Sequence, residues 1–138
     1  MSVVNELLRK EEDGTLSFGN YELTSKTKVS DFEYNGDIYK VKTFNEITKL
    51  ERNDMLVYES EPGTAVTHFA QNAEGVAFNL EAAEDVQVIL GLEENTEYDV
   101  VIAGVDNGPV KTNAGGKLVL SVEAQSAGEV AVKVTKIG

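Results

Sequence analysis

From residue 64 onward apolar side chains return at every second position, and no other feature of this sequence restricts its fold as tightly. Val76, Phe78 and Leu80 form one such run, and Val86, Val88, Leu90 and Leu92 a second; Leu118, Leu120 and Val122, then Val130, Val132 and Val134, complete the set. A period of two sends alternate side chains to opposite faces of an extended strand, so each run has one face to bury and one to wet. The pattern predicts strands at residues 64–69, 75–80, 85–92, 97–103, 110–113, 117–123 and 129–136, with turn residues between them: Asn72, Gly75, Asn95, the Asp106-Asn107-Gly108-Pro109 stretch, Gly115-Gly116 and Gly128. Parallel neighbours would need crossovers of about a dozen residues. None fits, so the expectation is an antiparallel sandwich.

Upstream, Asn35-Gly36 can occupy the two positive-φ positions of a type I′ turn and close a hairpin. That register sets Tyr34 opposite Asp37, Phe32 opposite Tyr39 and Ser30 opposite Val41, with Asp31 and Lys40 paired on the charged face. Residues 43–52 fit either a helix, through Phe44, Ile47 and Leu50, or a strand, through Thr43, Ile47 and Thr48. Asn53-Asp54 reads as a turn and residues 55–59 as a strand. Residues 2–12 are the one good helix candidate: Val3, Val4, Leu7 and Leu8 share a helical face, and Asp13-Gly14 supplies a stop. Three turns are marginal alone in water, so that helix is expected to dock on its own sheet or on a second copy, making Val3, Val4, Leu7 and Leu8 the candidate oligomer contact. The fold class is therefore all-β, an antiparallel β-sandwich of jelly-roll or immunoglobulin-like type with a short N-terminal helix. Pro62-Gly63 marks the expected boundary, giving a helix at 1–13, a hairpin-rich half at 14–61 and the sandwich at 62–138.

Charge removes several function classes. Against 24 Asp and Glu the chain has 12 Lys and Arg, a net charge of -12. All of the excess lies in residues 53–110, which hold 12 acids and no Lys or Arg. Such a surface repels nucleic-acid phosphates and anionic lipid, so neither nucleic acid nor membrane is an expected partner. The chain has no cysteine, which removes disulfides, thiolate zinc and thiol catalysis. No apolar run reaches the ~18 residues of a spanning helix. Acids at Glu6, Glu11, Glu12 and Asp13 interrupt the region where a secretory signal would be apolar, so the expected compartment is the cytoplasm.

No catalytic constellation stands out. His68 is the sole histidine, lies at the end of an expected strand, and no Gly-x-Ser-x-Gly elbow is present to give it a nucleophile. One histidine without cysteine would leave a metal site of carboxylates alone, which suits calcium rather than zinc. Glu81 and Asp85, with Glu84, and Glu97 and Asp99, with Glu93 and Glu94, are the weak candidates, since neither group has the spacing of a calcium loop. Phosphate-binding glycine loops are missing, and Gly115-Gly116-Lys117 reads as a hairpin turn. Nothing implies a cofactor. Tyr34, Tyr39 and Tyr58, with Tyr21, could line a small ligand groove or pack into the sheet faces.

Two stretches carry a resemblance. Residues 28–50 (KVSDFEYNGDIYKVKTFNEITKL) with 57–66 (VYESEPGTAV) resemble a group of short bacterial proteins often labelled endosialidase, and residues 92–98 (LEENTEY) with 112–122 (TNAGGKLVLSV) fit the same group. The tail is also similar to small β-sandwich modules of carbohydrate-active enzymes. Sialidases grip a carboxylate with three arginines on a six-bladed propeller studded with tryptophan-bearing boxes. This chain has only Arg9 and Arg52, no tryptophan and too few residues for six blades, so the resemblance assigns no catalytic residue. The leading expectation is a non-enzymatic all-β binding or structural protein, in a homo-oligomer or with a carbohydrate or protein partner. The alternatives are a carbohydrate-recognition accessory module and, behind it, a sialoside hydrolase.

Overall fold

The computed structural model describes residues 3–125 and 127–137. Among these there are 13 strands and no helix. The chain opens with β1 (Leu8–Lys10) and β2 (Leu16–Phe18), then makes a four-strand meander of β3 (Thr27–Tyr34), β4 (Asp37–Phe44), β5 (Ile47–Arg52) and β6 (Met55–Glu61). There follow β7 (Ala65–Asn72), β8 (Gly75–Glu81), β9 (Val86–Gly91), β10 (Glu97–Ile102), β11 (Val105–Lys111), β12 (Lys117–Val122) and β13 (Val130–Lys136). They form a seven-stranded sheet ordered β1-β2-β7-β8-β13-β10-β11 and a six-stranded sheet ordered β12-β9-β6-β5-β4-β3, antiparallel throughout.

The two sheets face each other across one continuous core, in a sandwich-like arrangement. The period-two valines and leucines supply most of it: Val76, Phe78 and Leu80 from β8, Val88 and Leu90 from β9, Leu118, Leu120 and Val122 from β12, and Val130, Val132 and Val134 from β13 are all buried. Aromatic rings join the layers. Tyr58 of β6 meets Phe18 of β2 edge-on at 5.2 Å, and Phe78 of β8 at 5.6 Å. Strands from both sides of Pro62 share each sheet, since β2 pairs with β7 and β6 pairs with β9, and both sides contribute to the single core.

A buried hydroxyl network ties the meander to the crossover after Pro62. Thr43 and Thr48 share a 2.8 Å hydrogen bond, Thr48 Oγ1 donates to the Thr64 carbonyl at 3.0 Å and accepts from the Thr64 N–H at 3.0 Å, and Thr64 Oγ1 bonds Tyr58 Oη and Ser60 Oγ. Burial is affordable because each of these polar groups finds a partner.

The expected N-terminal helix is not formed. It would begin at Ser2, outside the described residues; from Val3 the chain runs through a turn into β1. Val4 N–H donates to the Gly19 carbonyl at 3.0 Å, Gly19 N–H donates to Leu7 at 3.1 Å, and Leu8 lies opposite Phe18. The unpaired edge of β2 offers backbone partners to a segment too short to be a stable helix by itself, and pairing wins. Val4 and Leu8, expected to be oligomer contacts, are buried in the chain's own core, with Leu7 packed partly against it.

Asp106-Asn107-Gly108-Pro109, expected as a turn, lies inside β11. The turn itself is Ala103-Gly104, both at positive φ. Asp106 Oδ1 accepts the Gly108 N–H at 2.8 Å within a register shift between β10 and β11, so the turn-forming residues make a bulge instead of a reversal.

Candidate functional site: a lysine row on an open sheet face

The Asn35-Gly36 hairpin forms as expected, with φ of 53° and 83° and with Tyr34 opposite Asp37 and Phe32 opposite Tyr39. Beyond Phe32 the register changes. Asp31 adopts a φ of 59°, an extra residue is accommodated in β3, and Val29 instead of Ser30 lies opposite Val41. A one-residue slip exchanges the two faces of everything beyond it. In the uninterrupted hairpin Lys28 would share the inward parity of Phe32; the bulge turns Val29 toward the core and Lys28 outward.

The consequence is a row of like charges. Lys28 lies directly opposite Lys42 of β4, and Lys42 directly opposite Lys49 of β5. Further along the same line, Lys49 faces Glu59, Glu59 faces Ile89, and Ile89 faces Val119, so the row crosses the whole outer face of the six-stranded sheet and is basic only over β3 to β5. One position along, Lys40 pairs with Glu51. The Glu51 carboxylate is shared, at 3.2 Å from Lys40 Nζ and 3.5 Å from Lys49 Nζ. Among the described residues Lys28 and Lys42 have no ion pair. Lys28, Lys40, Lys42, Lys49 and Glu51 line a recess of about 120 Å³, and Lys26 flanks it with its ammonium 5.9 Å from the centre of the Phe44 ring.

Titration behaviour follows from this crowding. Burial pushes the Lys42 ammonium below its ordinary value, and the charges of Lys26, Lys49 and Lys28 push it further. Burial would raise Glu51, yet the hydrogen bond and charge of Lys40, with Lys49 beside it, outweigh burial and hold its carboxyl below the usual range. Directly opposed like charges destabilise a sheet. The face offers ammonium groups on three adjacent strands, with the Glu51 carboxylate shared between Lys40 and Lys49.

The side chains singled out in the sequence are placed elsewhere. Tyr58 is fully buried, and burial pushes its phenol up to about 12 against the lowering effect of its hydrogen bonds with Thr64 and Ser60. Tyr39 is buried and meets Tyr34 edge-on at 5.5 Å, while Tyr34 Oη donates to the Gly14 carbonyl at 2.5 Å. Tyr21 is half-buried. Tyr34, Tyr39 and Tyr58 are packing residues with their hydroxyls or rings engaged inside the chain.

Of the acids, Asp85 accepts a hydrogen bond from Gln125 N–H at 3.0 Å, and Glu97 is exposed. The Asp99 carboxyl is held above its ordinary value by a hydrogen bond to Asp106 and by that neighbour's charge. Glu81 Oε1 is buried with no hydrogen-bond partner among the described residues. No three of the described acidic or histidine side chains gather in a way that could hold a metal ion.

His68 has a carboxylate and hydroxyls nearby without the geometry of a hydrolase. Asp13 Oδ2 and Thr15 Oγ1 both meet the same ring nitrogen, Nδ1, at 3.1 and 3.2 Å. Ser17 Oγ accepts the His68 backbone N–H at 3.2 Å and donates to Glu11 at 2.5 Å. A serine-histidine-aspartate relay needs the acid on one ring nitrogen and the nucleophile on the other. Here both partners compete for one atom, and Ser17 does not touch the ring.

The lysine row was not legible in the sequence. The parity of Lys40 and Lys42 against buried Tyr39, Val41 and Thr43 marks an outward basic face on β4. The partner lysines come into line only through the β3 bulge and the β4–β5 register. Comparison with protein-family models, with curated proteins and with solved structures finds no match.

Proposed function

We propose that this chain is a non-enzymatic binding protein that engages negatively charged ligands through the outer face of its six-stranded sheet. One observation supports the reading above all: Lys28, Lys42 and Lys49 stand directly opposite one another on three adjacent strands of an otherwise strongly acidic molecule. Local rules broken at a cost in stability are expected at functional sites. A bound anion would turn that cost into binding energy.

Carbohydrate recognition is a second reading, narrowed to sugars bearing an acid group. Stacking on Tyr34, Tyr39 or Tyr58 is not available as the source of affinity, because those rings are committed to packing. The ammonium row is.

Ligand-induced thermal stabilisation separates these readings from an inert scaffold, because a ligand that binds only the folded state raises the melting temperature by mass action. Acidic sugars and simple oxyanions should raise it, neutral sugars should leave it unchanged, and Lys42→Gln should reduce the response at a given ligand concentration. Equal responses from wild type and Lys42→Gln would contradict the proposal.

A further inference from the structure

We propose that the lysine recess holds one compact tetrahedral oxyanion group, a phosphate or sulfate, clamped by the ammonium groups of Lys28, Lys42 and Lys49; this rests on the anion-binding reading above and names its ligand class. Three features of the face point to that chemistry.

The first is size. At about 120 Å³ the recess is somewhat smaller than a cavity of ~150 Å³ that takes one benzene ring, which suits a compact group of five heavy atoms better than a whole sugar.

The second is donor type. Planar, two-pronged recognition of a carboxylate is the work of arginine, whereas lysine acts as a point charge. The recess is lined by lysines and one glutamate. Arg52 lies at the end of β5 opposite the buried Tyr39, on the inward parity, and lines a different cleft with Gln71 and Tyr98. Point charges approaching from three strands match the spread-out oxygens of a tetrahedral anion better than a flat carboxylate.

The third is extent. Three neighbouring strands span about 10 Å, two spacings of ~4.8 Å, and the next position in the row is Glu59. Asp54, 3.8 Å from Lys40 Nζ, borders the same face. With a net charge of -12 and a screening length of about 8 Å at physiological salt, a long polyanion leaving the recess would meet repulsion on its way out. A terminal or free oxyanion group would not.

The shared chemistry has two sources, free inorganic anion or the phosphate or sulfate end of a small molecule. The test is a titration of the whole chain at low ionic strength, followed through backbone amide shifts. The probes are inorganic phosphate, sulfate, glucose 6-phosphate, glucose and long-chain polyphosphate. Saturable shifts centred on Lys28, Lys42 and Lys49 are expected with phosphate, sulfate and glucose 6-phosphate and not with glucose. Tighter binding of glucose 6-phosphate than of inorganic phosphate would identify a phosphorylated small molecule as the source; the reverse would identify the free anion.

Lys42→Gln and the more exposed Lys28→Gln should each weaken binding by about tenfold, the worth of one charge-assisted hydrogen bond. Lys117→Gln, at the far edge of the same sheet, should leave it unchanged. Shifts at the lysine row with polyphosphate alone would overturn the ligand class while sparing the binding role. Phosphate binding undiminished in both Lys42→Gln and Lys28→Gln would place the anion elsewhere and overturn the site. Silence of the row toward every anion would overturn both proposals.

Discussion

Lys42 sits directly between two like charges, Lys28 and Lys49, without an ion pair among the described residues. Replacing it with threonine, a good strand former, should stabilise the unliganded protein by about 0.2–1 kcal/mol, the size of one cross-strand pair. Urea denaturation would measure the gain. Its pH dependence has a defined sign. Because the folded-state ammonium titrates below its ordinary value, the penalty is full below that lowered value and fades as pH rises toward the unfolded one. The advantage of Lys42→Thr should therefore shrink at high pH. Thr48 is a contrasting case, for its hydroxyl joins Thr43 and both backbone groups of Thr64 inside the core. Thr48→Val keeps the shape and strands those partners, which should cost about 1–3 kcal/mol. Neither role is visible in the residue's own identity. A lysine and a threonine at alternating positions read only as outward and ambiguous.

At the scale of strands, what could be read depended on whether the signal was local. Period-two runs in residues 75–136 became β8, β9, β12 and β13 because each alternation carries its own buried face. The Asn35-Gly36 turn was equally local. The N-terminal segment misled because Val4 and Leu8 are four apart, a spacing that suits a helix and also suits a chain that turns once before pairing; the edge of β2 decided between them. The β3 bulge had no local signature, since Asp31 tolerates positive φ without demanding it. That conformation is testable. Asp31→Val, β-branched at a φ of 59°, should cost about 1–2 kcal/mol and weaken anion binding by disturbing Lys28, whereas Asp31→Gly should be near neutral. A second backbone constraint lies in β8, where a Cβ at Gly75 would stand 1.9 Å from the Val134 carbonyl oxygen. Gly75→Ala must displace β13, and a large loss of melting temperature should report it.

For the molecule as a whole, charge is segregated by strand as well as by sequence. The central excess of acid is divided between strands of both sheets and the turns that join them, while β3, β4 and β5 collect Lys28, Lys40, Lys42 and Lys49 on one face. Composition revealed the acid excess but not the basic island within it, because the island is assembled by register. Acid should destabilise the fold through carboxyls held below their ordinary range. Asp13 is lowered by its hydrogen bonds with Thr15 and then by His68, and Glu11 by Ser17 and then, against burial, by Arg9. Their stabilisation is present above the unfolded value near pH 4 and is lost as pH falls through the lowered folded values. Melting temperature against pH should show a shallower acid limb for Asp13→Asn.

Crystals of the protein soaked in selenate would show whether the outer face of the six-stranded sheet receives an oxyanion. An anomalous peak between the ammonium groups of Lys28, Lys42 and Lys49, weaker in Lys42→Gln crystals soaked at the same sub-saturating concentration, is expected. A selenate peak found only at other surfaces, with the lysine row empty at saturating concentration, would contradict the account.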